Sequence, residues 1–148
     1  MPLHFNLPYR FRAVHSDLYL SDNNGNIIQT DAHDQRWILH HSFDGHGFFI
    51  TPIHNERVCI ASNGRENQLT LAPVAEQDSC KWQYFEITHQ NRLVVSFLLN
   101  ELVDGKTMCA DVKGASKVSG APLILFPVRW MDLQRDNQLW LPQLDATA

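Results

Sequence analysis

Asp136-Asn137-Gln138-Leu139-Trp140, near the end of this 148-residue chain, carries a Gln-x-Trp step. The same step occurs at Gln35-Arg36-Trp37, and Cys80-Lys81-Trp82 takes the corresponding place between them. The three tryptophans lie 45 and 58 residues apart. Three units of roughly fifty residues therefore fill the chain, and a period of that size dictates an architecture built by repetition.

Working outward from each tryptophan, the same features recur in the same order. A β-like run is predicted at Tyr9 to Val14, Gly47 to Ile53 and Leu93 to Leu99. A second, shorter run follows at Leu18 to Ser21, Val58 to Ala61 and Met108 to Val112. Turn residues come next: Asn23-Asn24-Gly25, Asn63-Gly64 and the longer Gly114 to Gly120. A third run spans Asn26 to Thr30, Gln68 to Pro73 and Leu123 to Pro127. The Trp segment closes each unit, at Trp37 to His40, Trp82 to Ile87 and Leu139 to Leu144. The runs are short, often β-branched or aromatic, and separated by turn residues, as antiparallel strands joined by hairpins require. No stretch holds a 3.6-residue apolar period, so a helix of ordinary length is not predicted. The expectation is an all-β, twelve-stranded β-trefoil covering residues 1–148 as one domain, with pseudo-repeats at about 5–44, 45–90 and 91–145. Six strands close a barrel and three hairpins cap one end, leaving few free sheet edges. The tryptophans read as core anchors whose ring N–H groups find backbone carbonyls.

Composition narrows the function. The chain is 44% apolar and carries 12 Lys plus Arg against 16 Asp plus Glu, a net charge of −4. Without a basic stripe, nucleic acid and anionic membranes are poor partners. No apolar run is long enough to span a bilayer, so no membrane insertion is expected. Met1-Pro2-Leu3-His4-Phe5 shows neither a cationic n-region nor an apolar h-region. Together with three widely spaced cysteines, Cys59, Cys80 and Cys109, this reads as a cytoplasmic protein with reduced thiols, released on cell rupture.

Catalytic and cofactor motifs are missing. The eight histidines (His4, His15, His33, His40, His41, His46, His54 and His89) form no metal-ligand spacing. His40 and His41 are neighbours on a strand and face opposite ways. No Cys-x-x-Cys pair supports zinc, Gly45-His46-Gly47 lacks the flanks of a phosphate loop, and His15-Ser16-Asp17 are adjacent only in sequence. The reading is a non-enzyme without a metal or cofactor.

In the third unit the ordered set Met108-Cys109-Ala110-Asp111-Val112-Lys113-Gly114, Leu123-Ile124-Leu125-Phe126-Pro127 and Asp136-Asn137-Gln138-Leu139-Trp140 resembles the ricin-type β-trefoil lectins. That resemblance implies carbohydrate binding, selective for galactose or N-acetylgalactosamine ends. It implies a charged acceptor for two sugar hydroxyls in Asp111, with Gly114 in the turn that follows. It implies an aromatic platform for the apolar sugar face in Phe126. Asn137 would serve as donor and acceptor to a hydroxyl, and Gln138 would fix the site. Trp130 is either a second platform beside Phe126 or a loop residue packed on the barrel. At the family's second cysteine position stands Val128, so Cys109 reads as a small buried apolar residue.

The other units lose the set. The Asp becomes Ser21 and Ala61, the aromatic becomes Thr30 and Ala72, and the Asn becomes Asp34 and Ser79. One competent site per chain is expected, and useful avidity then asks for a homodimer. The competing readings are a β-trefoil protease inhibitor acting through Asn63 to Asn67 and Gly114 to Gly120, and an interaction module with degenerate pockets.

Overall fold

The structure, a computed structural model, describes residues 3–129 and 135–145. It holds twelve strands: β1 (Pro8–Ala13), β2 (Tyr19–Asn23), β3 (Asn26–Thr30), β4 (Trp37–His41), β5 (Phe48–Pro52), β6 (Val58–Ala61), β7 (Thr70–Pro73), β8 (Trp82–His89), β9 (Arg92–Leu99), β10 (Met108–Val112), β11 (Leu123–Pro127) and β12 (Trp140–Leu144). The helical segments among the described residues are three short 3-10 turns, η1 (Asp78–Cys80), η2 (Lys113–Ala115) and η3 (Arg135–Gln138).

Six strands close on themselves. β1 pairs with β4, β4 with β5, β5 with β8, β8 with β9, β9 with β12 and β12 with β1, all antiparallel. Closure satisfies the edges that would otherwise be free to pair with another chain. The remaining strands form the hairpins β2–β3, β6–β7 and β10–β11. Backbone bonds join them across the cap: Ile27 N–H donates to the Leu69 carbonyl and Leu69 N–H to that of Leu123, both at 2.9 Å. Ile27, Leu69 and Leu123 are all fully buried, one from each hairpin.

Local sequence explains the elements. In β1 the alternation is strict: Tyr9, Phe11 and Ala13 point inward while Arg10 and Arg12 face out, where Arg10 meets Asp145 at 2.9 Å. Asn24-Gly25 forms the two-residue turn between β2 and β3, both residues at positive φ, the conformation that matches strand twist in a hairpin. Gln90-Asn91 makes the same kind of turn between β8 and β9 without a glycine. Inside the barrel, Phe97 sets its ring edge-on to Phe11, with centroids 4.9 Å apart.

Trp37, Trp82 and Trp140 begin β4, β8 and β12, and all three are fully buried. Trp37 Nε1 donates to the Leu20 carbonyl at 3.1 Å, and Trp82 Nε1 to that of Ile60 at 2.9 Å. Each bond ties the start of the fourth strand of its unit to the second. Trp140 Nε1 is buried without such a partner among the described residues.

The unequal anchoring sets an unequal mutational cost. Trp82→Phe strands the Ile60 carbonyl as well as shrinking the core, and is expected to lower stability by roughly 2–4 kcal/mol. Trp140→Phe loses volume but no hydrogen bond, and is expected to cost about 1–2 kcal/mol. Equilibrium urea unfolding of the two variants checks the order; equal losses would contradict it.

Candidate functional site

The third unit brings four of its sequence-predicted residues together. Strand β10 runs opposite β11 with Cys109 facing Phe126 and Asp111 facing Ile124. Directly paired residues share a face of a hairpin, so Cys109, Asp111, Ile124 and Phe126 stand on one side. Met108, Ala110, Val112, Leu123 and Leu125 alternate to the other side and join the main core. Asp111 and Phe126 are thus diagonal neighbours on the face turned away from that core. Phe126 is half-buried, whereas Asp111 is only 2% exposed.

After β10 the chain turns sharply through η2. Gly114 has φ +63° and Ala115 φ +51°, the left-handed region that glycine enters without strain. A side chain at 114 would meet nothing within 4 Å, so that glycine serves the turn. The turn lets η3 pack over the end of β10.

Two side chains of η3 clamp the carboxylate. Asn137 Nδ2 donates to Asp111 Oδ1 at 3.1 Å and to the Val112 carbonyl at 3.1 Å. Gln138 Nε2 donates to Asp111 Oδ2 at 2.9 Å and to the Pro127 carbonyl at 3.0 Å. Gln138 Oε1 in turn accepts from Arg129 N–H at 3.0 Å. Among the described residues each carboxylate oxygen thus has one side-chain donor and a second lone pair for another. Asn137 Oδ1 is buried and has no partner among the described residues. A buried acceptor left open is a place for an incoming donor.

Charge balance at Asp111 follows from this packing. Burial pushes its carboxyl up to about 6, against the opposing pull of the Gln138 bond, the Arg129 charge and the Asn137 bond. Ionised at neutral pH but poorly solvated, the group gains more from a new donor than an exposed carboxylate does. Arg129 also sits over Phe126, its guanidinium carbon 5.5 Å from the ring centroid. Sequence reasoning gave Arg129 no part in the site; a cation three residues after Phe126 was the available signal. Trp130 lies outside the described residues.

The first unit keeps more than its sequence suggested. At the Asp111 position Ser21 donates to Gln35 Oε1 at 2.7 Å, and Asp22 N–H donates to the same oxygen at 2.9 Å. Gln35 Nε2 donates to Asp22 Oδ1 at 2.6 Å. The carboxylate has moved along the strand by one residue while its amide partner kept its place. Ser21, Asp22, Asp34, Gln35, Arg36, Ile53 and His54 line a cleft of about 420 Å³ there, without an aromatic platform. In the second unit Cys80 stands where the other two have Gln, beside Cys59, Ala61 and Ala72.

Among the described residues no group of three His, Cys, Asp or Glu side chains is arranged to hold a metal ion.

No protein-family model matches the sequence, and no curated protein sequence matches it either. Solved structures do. A designed threefold-symmetric protein, ThreeFoil, is similar with a TM-score of 0.74 at 19% identity, over 92% of this chain and 97% of that one. A Macrolepiota procera ricin B-like lectin, solved in complex with lactose, gives a TM-score of 0.70 at 14% identity, over 97% and 99%. The C-half of an earthworm R-type lectin, solved in complex with GalNAc, gives 0.66 at 15% identity, over 94% and 99%. At such identities the likeness is one of fold, and the fold of this chain is the β-trefoil that these ricin B-like and R-type lectins share with the designed protein.

Proposed function

We propose that this chain is a non-enzymatic carbohydrate-binding protein that takes galactose- or N-acetylgalactosamine-ended glycans through the third unit. The observation that carries the reading is the pairing, on one face of the β10–β11 hairpin, of a clamped carboxylate with a half-exposed aromatic ring. A pyranose offers adjacent hydroxyls on one edge and an apolar C–H face. The edge suits Asp111, with Asn137 Oδ1 as a further acceptor, and the face suits Phe126. Arg129 covers one side of that ring in the free protein, and a stacked hexose takes its place or uses the opposite side. Structural relatives solved with lactose and GalNAc support the sugar class.

Such a small site implies monosaccharide affinity near ~1 mM, about −4 kcal/mol. Glycan capture at useful concentrations then needs tethered sites, and a homodimer is the simplest arrangement that supplies two. Synthesis in the cytoplasm belongs to the same proposal, supported by three unpaired buried cysteines.

Asp111→Asn leaves the side-chain volume but presents an N–H₂ group to donors on Asn137 or Gln138. Galactose or lactose binding by titration calorimetry is expected to fall at least tenfold, or about 1.4 kcal/mol. Phe126→Ala is expected to weaken binding by roughly 5–30-fold through lost stacking, while Asp22→Ala in the first unit leaves it unchanged. Unaltered affinity in the Asp111→Asn protein would overturn the assignment.

The pH response has a definite sign. Sugar hydroxyls bond best to the ionised carboxylate, so binding favours the deprotonated form. Affinity is expected to be level above the Asp111 value of about 6 and to decline as pH falls through it. The decline approaches tenfold per pH unit, and Asp111→Asn abolishes the slope.

A further inference from the structure

In the first and third units, the residue two places before the tryptophan is a glutamine bonded to an acidic group on the second strand. The second unit puts Cys80 at that place, and its partner is a second thiol. Cys80 ends η1 and Cys59 lies in β6, both fully buried, in one small cluster with Phe49 and Ala61. Two bonds hold the elements together on either side of the pair. Ser62 N–H donates to the Ser79 carbonyl at 2.8 Å, and Trp82 Nε1 to the Ile60 carbonyl at 2.9 Å.

Within that cluster the two thiols are near enough to bias each other's ionisation, each being the chief influence on the other. The Cys80 thiol is drawn down and the Cys59 thiol pushed up, the latter by burial as well. An attacking thiolate and a resolving thiol are thereby set side by side. Phe49 and Val74, which pack on the pair, also line a surface cleft of about 370 Å³. Both thiols are fully buried, so a small hydroperoxide reaches them from that cleft only when those side chains move aside.

We infer that Cys59 and Cys80 form a hydroperoxide-oxidisable pair that closes to a disulfide inside the second unit. The Cys80 thiolate attacks one peroxide oxygen, the O–O bond breaks, and hydroxide leaves with Cys80 as a sulfenic acid. The Cys59 sulfur then displaces that oxygen. Its proton leaves with the departing hydroxide as water, and the S–S bond forms. Two thiols lose two electrons, which reduce the peroxide. Cys109 is excluded from the reaction: it is buried in the third unit, and burial together with the Asp111 charge pushes its thiol up.

The test treats the intact chain with hydrogen peroxide, alkylates free thiols after unfolding, and maps the peptides. A Cys59–Cys80 linkage reversed by dithiothreitol is expected, with Cys109 fully alkylated. The thermal midpoint should rise by roughly 5–10 °C on oxidation. In Cys59→Ser, Cys80 should instead stop at the sulfenic acid, trapped by dimedone. If that variant does not fold, the map of the native chain decides. All three thiols surviving peroxide, or a linkage involving Cys109, would overturn the inference.

Discussion

The structure depends on a tie between the turn preceding each tryptophan and the second strand of the same unit. Without it, each hairpin of the cap would meet the barrel only through its flanking strands. The tie has a shared part, the buried tryptophan, whose ring N–H reaches the Leu20 and Ile60 carbonyls in the first two units. It also has a variable part at the residue two places earlier. That part joins Gln35 to Ser21 and Asp22 and Gln138 to Asp111 by hydrogen bonds, and sets Cys80 in one apolar cluster with Cys59.

This division of labour explains how one fold carries three different surfaces. The tryptophan holds the geometry, so the earlier position is free to change chemistry. In the third unit Trp140 Nε1 has no partner among the described residues, and the polar clamp on Asp111 is correspondingly richer. A clamp made of buried amides and a buried carboxylate costs desolvation, and it is maintained only when every donor has an acceptor. Among the described residues Asn137 Oδ1 is the one acceptor of the clamp left without a donor. In the second unit, Lys81 is buried in the middle of the Cys-x-Trp step and held by Asp44 and Glu76, which secures the loops that carry them.

Much of the fold was legible because its signals are local. Strands β3, β6, β10 and β11 lie where alternation and turn residues placed them, and Asn24-Gly25 marks its hairpin in the expected way. Strands β8 and β9 run on to His89 and back from Arg92, further than predicted, because the Gln90-Asn91 turn carries no glycine to announce it. The site was legible as a set of residues but less so as an arrangement. Nothing in the string near Asp111 reveals that it is almost fully buried, since that depends on η3 arriving from 25 residues downstream to cover it. Asp22 was passed over because a one-residue shift along a strand ordinarily turns a side chain to the other face. The Cys59–Cys80 contact likewise spans a hairpin that linear spacing cannot fold.

The central claim is that a sugar enters where Asp111, Phe126 and the η3 amides meet. The most direct measurement is a ¹⁵N-detected chemical-shift titration with lactose, reading the side-chain amides of Asn137 and Gln138 beside the backbone of β10 and β11. Concerted shifts confined to those groups are the predicted result. Shifts centred instead on the cleft of Asp22, Asp34 and His54, or none up to saturating sugar, would contradict the account.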